Sequence, residues 1–138
     1  MQMSYAKGQG ALSQYRQVGV HGGVADASPH RLIQMLMRGA QENIAFARGY
    51  LERGDYEAKG RHIGRAAAII EALHTSLDMA RGEAIAVNLA ALYEYMNRRL
   101  LEANLQNDEA RLVEVAGLLG QIQSAWDAIA DVPEVVGG

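Results

Sequence analysis

The chain has 138 residues, 49% of them apolar, a formal net charge of −3 and no cysteine. That length suits one domain around one core, and the lack of cysteine excludes disulfides, zinc–thiolate sites and thiol nucleophiles. The mild acidity argues against a nucleic-acid binder: the densest basic site, Arg98-Arg99, sits beside Glu94 and Glu102 and reads as a solvated helix face.

Residues 1–27 contain Gly8, Gly10, Gly19, Gly22 and Gly23 and no sustained hydrophobic period. They read as a flexible N-terminal arm that could carry a short helical cap around Ala11 to Val18. Met1 to Lys7 have neither a basic start nor an apolar stretch, so no signal peptide is expected. Ser28-Pro29 then reads as a helix start, with Ser as N-cap and Pro at the first helical position.

Four long helices are predicted after it, giving an all-α, antiparallel, up-down-up-down four-helix bundle over residues 28–130 and a frayed tail over 131–138. The first runs from about 29 to 53 with a core stripe of Ile33, Leu36, Ala40, Ile44, Ala47 and Leu51; Gly54 stops it and Asp55 caps the next. The second runs from about 56 to 81, with Ile63, Ala66, Ile70, Leu73, Leu77 and Ala80 spaced as a heptad seam. The third covers about 84 to 106 with Ile85, Leu89, Leu92, Met96, Leu100 and Ala103. Asn107-Asp108 breaks it, and the fourth covers about 109 to 130 with Leu112, Val115, Leu119, Ile122, Trp126 and Ile129. Two prolines, Pro29 at a first helical position and Pro133 in the tail, interrupt none of the periodic stripes, and with an aromatic content of 6% this favours helices over a β-sandwich. No apolar run approaches the length that spans a bilayer, so no membrane insertion is expected.

Catalytic and metal chemistry find little support. A bundle di-metal site needs Glu-x-x-His on two helices and a Glu on each of the others. Here Glu71-Ala72-Leu73-His74 is a single copy to one side of its seam, and it reads as a solvated flank. His21, His30, His62 and His74 are scattered without an i, i+4 pair, and the arm's glycines follow no predicted strand, so they match neither a P-loop nor a dinucleotide fingerprint. No catalytic residue, metal or cofactor is expected. Gly60 and Gly64, one turn apart, read as close intramolecular packing in preference to a self-association seam.

The first helix carries the informative feature. At 100° per residue its core stripe fills one sector, while Leu32, Met35, Gly39, Phe46 and Tyr50 gather in a second that should be polar on a surface helix. Such a surplus face needs a cover: the N-terminal arm, a second subunit or a partner helix. Methionine suits an adaptable groove. The bland alternative is an irregular core or a slightly greasy surface. Ala68, Ala72, Thr75 and Met79 form a weaker analogue on the second helix.

Three segments together resemble the bacterial flagellin export chaperones: Ala11-Leu12-Ser13-Gln14-Tyr15-Arg16-Gln17-Val18, Ala27-Ser28-Pro29-His30-Arg31-Leu32-Ile33-Gln34-Met35-Leu36, and Asn88-Leu89-Ala90-Ala91-Leu92-Tyr93-Glu94-Tyr95-Met96-Asn97-Arg98-Arg99-Leu100 followed by Ala103-Asn104. The resemblance covers about residues 11 to 130. One departure is Arg38 ahead of Gly39-Ala40, where the family often has an acidic residue. The resemblance implies a cytoplasmic, non-enzymatic bundle that binds the disordered C-terminal segment of flagellin, prevents premature polymerisation and delivers the subunit to the flagellar type III export gate. It also implies that the arm, through Tyr15, lies over the bundle and yields to the client; Val18, spaced one helical turn from Tyr15, is expected to pack on the bundle with it. The competing reading is a structural homodimer that uses the surplus apolar face for self-association.

Overall fold

The computed structural model describes residues 27–77 and 84–129. Within them lie four helices, here α1 (Pro29–Glu52), α2 (Tyr56–Thr75), α3 (Ala84–Gln106) and α4 (Glu109–Ala128), and no strand. The caps are those the sequence announces. Ser28 Oγ accepts from the Arg31 amide at 3.1 Å with Pro29 at the first position, and Asp55 and Asp108 accept from the amides of Ala58 and Ala110. The α1–α2 turn passes through Gly54 at φ +75°, a left-handed conformation that glycine adopts without Cβ strain. Asn107 takes the corresponding role between α3 and α4 at φ 51°.

Inter-helix contacts fix the direction of three pairs, and the direction of α1 against α2 follows from those three. Asn43 of α1 meets His62 of α2, and Tyr50, further along α1, meets the same ring. Lys59, Ala67 and His74 of α2 meet Asn104, Asn97 and Glu94 of α3, an ascending series against a descending one. Glu102 and Arg99 of α3 meet Arg111 and Glu114 of α4. Gln34, Gln41 and Arg48 of α1 meet Asp127, Gln123 and Glu109 of α4, which closes the ring. Each helix is therefore antiparallel to both neighbours, as short connections demand.

The core joins Leu36, Met37, Ala40, Ile44 and Ala47 with Ile63, Ala66, Ile70 and Leu73, Tyr93, Met96, Leu100 and Ala103, and Leu112, Val115 and Leu119. Large aliphatic side chains opposite alanines let the layers interdigitate. Two stripe residues depart from expectation: Ile85 and Ile129 are exposed. Ile85 lies in the first turn of α3 and Ile129 just past the last turn of α4, at the end of the bundle, where the layers run out of partners. Met37, Ala90 and Tyr93, outside the predicted stripes, are buried, and burial pushes the Tyr93 phenol up to about 12.

Lys59 is buried as well and holds a helix end in place. Its ammonium donates to the Asn104 carbonyl at 2.9 Å and to Asn107 Oδ1 at 2.6 Å, capping the C-terminal turn of α3 where the helix dipole favours a cation. A Cβ on Gly60 would lie 3.4 Å from Asn104 Oδ1, about van der Waals contact, so α3 lies against this position without requiring a glycine there. Gly64 faces open space.

Candidate functional site

Between α1 and α2 lies a cluster of three rings, Phe46, Tyr50 and His62, which marks the candidate groove. The ring of His62, on α2, lies between two aromatic residues of α1. The Tyr50 ring stacks on it at 5.4 Å between centroids with 14° between planes, and Phe46 is tilted against it at 5.2 Å and 49°. Asn43 orients the imidazole: its Nδ2 donates to the Gly39 carbonyl, which leaves Oδ1 to accept from His62 Nδ1 at 2.9 Å. In this contact His62 carries a proton on Nδ1. Desolvation, and after it the positive charges of Arg65 and Arg61, lower its pKa. At the open end the Arg53 guanidinium covers the Tyr50 ring at 4.8 Å.

Of the residues assigned to the second sector of α1, the structure brings Gly39, Phe46 and Tyr50 to this groove. Phe46 is 55% exposed, an uncovered aromatic face beside a stacked pair. Met35 is half-buried about three turns toward the helix start. Leu32 is 2% exposed, so in this conformation it is an interior residue and offers no surface to a partner. Tyr15 and Val18, expected to cover the groove, lie outside the described residues, as does Met79 of the second stripe on α2; of that stripe Ala68 is exposed, Thr75 half-buried and Ala72 buried.

Sequence reasoning misses His62 and Asn43 as groove residues. The signal is present: a three-residue connection between antiparallel helices sets the register, and that register puts position 62 across from positions 43 to 50. Weighing His62 only as a metal ligand overlooks its use here as a flat apolar-faced ring. The Glu71/His74 pair is a flank, with the two ring nitrogens of His74 each 3.9 Å from a carboxylate, Glu71 and Glu94. Among the described residues no group of three or more His, Asp or Glu side chains is arranged to hold a metal ion, and no helix is long and apolar enough to cross a membrane.

A four-helix bundle whose first hairpin leaves a large aromatic side chain exposed presents a surface that a partner could cover. Residues 11–133 match the family model described as flagellar protein FliS. The chain is 50% identical over 120 residues, 87% of its length and 95% of the relative's, to the flagellar secretion chaperone FliSB of Pseudomonas aeruginosa. It is 48% identical over 120 residues, 86% and 89% of the two lengths, to the flagellar secretion chaperone FliS of Salmonella typhimurium. The flagellar secretion chaperone FliS of Bacillus subtilis is 35% identical over 103 residues, 75% and 76% of the two lengths. The chain belongs to the FliS family of flagellar secretion chaperones.

Proposed function

We propose that this protein is a cytoplasmic export chaperone that binds the C-terminal segment of flagellin, keeps it from polymerising and presents it to the export gate of the flagellar type III apparatus. The observation that carries the reading is Phe46, a large apolar side chain 55% exposed beside the Tyr50–His62 stack, in a chain whose relatives are named secretion chaperones. An amphipathic client helix would lay apolar side chains on Phe46 and Tyr50 across the Gly39 gap, with Met35 extending the contact toward the helix start. No covalent step is involved: the client folds as it binds, so part of the contact energy is lost to ordering it. Tyr15 and Val18, outside the described residues, are proposed as a cover that the client displaces.

Titration calorimetry of a flagellin C-terminal peptide against the parent and Phe46→Asp tests this. The aspartate places a charge in a desolvated contact, so binding should weaken by about 2–4 kcal/mol while the melting temperature stays near that of the parent. A variant that melts normally and binds as tightly as the parent would put the client on another face. Deleting residues 1–18 should leave the bundle folded and raise its binding of a hydrophobic dye; unchanged dye binding would remove the cover from the reading.

A further inference from the structure

The ring cluster between α1 and α2 is bordered by arginines that an apolar contact alone does not use. Arg53 lies two turns beyond Phe46 on the same line of α1. Its guanidinium covers the Tyr50 ring at 4.8 Å and folds back along the helix, so that a Cβ on Gly49 would lie 3.6 Å from its Nη1. Arg61 and Arg65 stand on either side of His62 in the sequence, and their charges act on that ring. All three arginines are exposed. Little of their charge is used within the chain. Arg61 has Glu57 at 3.8 Å, a carboxylate whose side chain is 93% exposed. Among the described residues Arg53 and Arg65 pair with no carboxylate. The nearby acids do not restore the balance: Asp55 caps α2, and Glu42, one turn before Phe46, shares the outer flank of α1 with Arg38. The chain as a whole carries −3, so this local positive surplus runs against the global charge.

We propose that this basic rim selects the client: the segment that binds the ring cluster carries aspartate or glutamate beside its apolar anchors, and Arg53 and Arg65 receive those carboxylates. The inference rests on the client-binding reading of the Phe46 face and adds to it the chemistry of the bound segment. A guanidinium laid on an aromatic ring keeps its in-plane N–H fork free for a carboxylate, which is the state of Arg53 over Tyr50. Arg65 brings the second charge from α2, so a client lying between the helices meets one arginine from each. Apolar contact alone discriminates poorly among amphipathic segments. Rim charges supply the choice, because they draw acidic segments in at long range and set like charge against basic ones. The two sets of residues divide the work: the rings give contact area, the arginines give specificity. His62 belongs with the rings, since it lies between Phe46 and Tyr50 and faces the anchors.

Calorimetric titration of the full chain with the flagellin C-terminal peptide tests this at about 50 and about 500 mM salt, between which the screening length shrinks to about a third. The parent should lose about tenfold in affinity from the lower salt to the higher. Arg53→Gln and Arg65→Gln, both at exposed positions, should leave the melting temperature near that of the parent. Each should weaken binding about two- to fivefold at low salt and converge on the parent at high salt. Phe46→Ala should weaken binding equally at both. The same peptide with every Asp and Glu changed to Asn and Gln completes a cycle: the parent should bind it as weakly as the double arginine variant binds the original, and the double variant should bind the two peptides alike. A merely structural effect of either arginine would not give that equality. A parent affinity that ignores salt, or arginine variants that match the parent at low salt, overturns the rim. If Phe46→Asp still weakens binding in that case, the client reading stands without it. A parent that binds the peptide at neither salt concentration removes the client reading and this inference together.

Discussion

The two hairpins of the bundle are built alike and finished differently. Both join antiparallel helices through two or three residues, and both begin their second helix with an aspartate cap. Across α3 and α4 the outer seam is closed by ions: Arg99 reaches Glu114 and Glu102, each at 2.7 Å, Arg111 reaches Glu102 at 3.0 Å and also Asp108, and the Tyr95 hydroxyl donates to Glu114. Those hydrogen bonds hold the Glu114 carboxylate below its ordinary range and, in the same contact, push the Tyr95 phenol up. Across α1 and α2 the outer seam has one polar link to an aromatic ring, Asn43 to His62, and a Phe left uncovered. A seam sealed by charge pairs offers a peptide little, because Arg99, Arg111, Glu102 and Glu114 are already partnered. A seam of aromatic faces gains by being covered.

The largest effect that sharpens this contrast separates the interior of α1 from its groove. Leu32→Ala should cost about 2–5 kcal/mol of stability, as for a buried leucine, whereas Phe46→Ala should cost little. Thermal and urea melts of the two variants check it. Equal, small losses would return Leu32 to the surface and widen the groove by a full turn toward the helix start.

Next comes the device that anchors the α3–α4 turn to α2. Lys59→Met removes both donors to Asn104 and Asn107 while keeping the length of the stem, and should destabilise by about 1–3 kcal/mol. Desolvation lowers the Lys59 pKa, so protonation works against folding. The corresponding stability is fully present above pH 10.5, the ordinary lysine value, and is lost as pH falls through the lower, folded value. Methionine should remove that alkaline gain. A more stable methionine variant at pH 7 would show that burying the ammonium costs more than its two hydrogen bonds return.

How much of this is legible in the sequence follows from what each residue depends on. Ser28, Gly54, Asp55 and Asp108 act on backbone within a turn of themselves, and their roles can be read directly. The seams of α2 and α4 keep strict spacing and can be followed through most of their described length. Leu32 and Met37 are harder. The Met35-Leu36-Met37 run makes the start of α1 apolar nearly all round, so angle alone does not say which members turn inward. Ile85 and Ile129 have the right angle and the wrong height, and periodicity carries no information about where a bundle ends. Phe46 and Tyr50 are placed by angle, but the groove they line needs a residue from another helix. The α3–α4 ladder reads as no more than a solvated face because Glu114, its central acceptor, lies on α4, fifteen positions beyond Arg99.

The ladder itself should matter modestly. Glu114→Gln keeps the shape and removes the charge that Arg99 and Tyr95 share. The expected outcome is a small loss of stability that shrinks in high salt, since exposed ion pairs are screened. Client affinity should not change. A drop in peptide binding in this variant would mean that the sealed seam is part of the client surface and that the contrast between the hairpins is not a contrast of function.

The smallest effect concerns the ring between Phe46 and Tyr50. Desolvation, and after it the positive charges of Arg65 and Arg61, lower the His62 pKa, so a second proton is unwelcome on the ring in the folded state. A histidine whose folded pKa is lowered stabilises the protein fully above its unfolded value, 6.5, and loses that contribution as pH falls through the folded pKa. Melting temperature should therefore decline on acidification below pH 6.5, and His62→Gln, which keeps a hydrogen bond to Asn43 without the titration, should flatten that part of the curve. The same protonation converts the flat, weakly polar ring into a cation inside the aromatic groove. Binding of an apolar client helix should weaken over the same interval in the parent and not in His62→Gln. Two parallel pH profiles, one of melting and one of peptide affinity, decide the matter. If the parent and the variant lose stability and affinity together as pH falls, the proton responsible sits elsewhere, and His62 contributes to the groove by its shape alone.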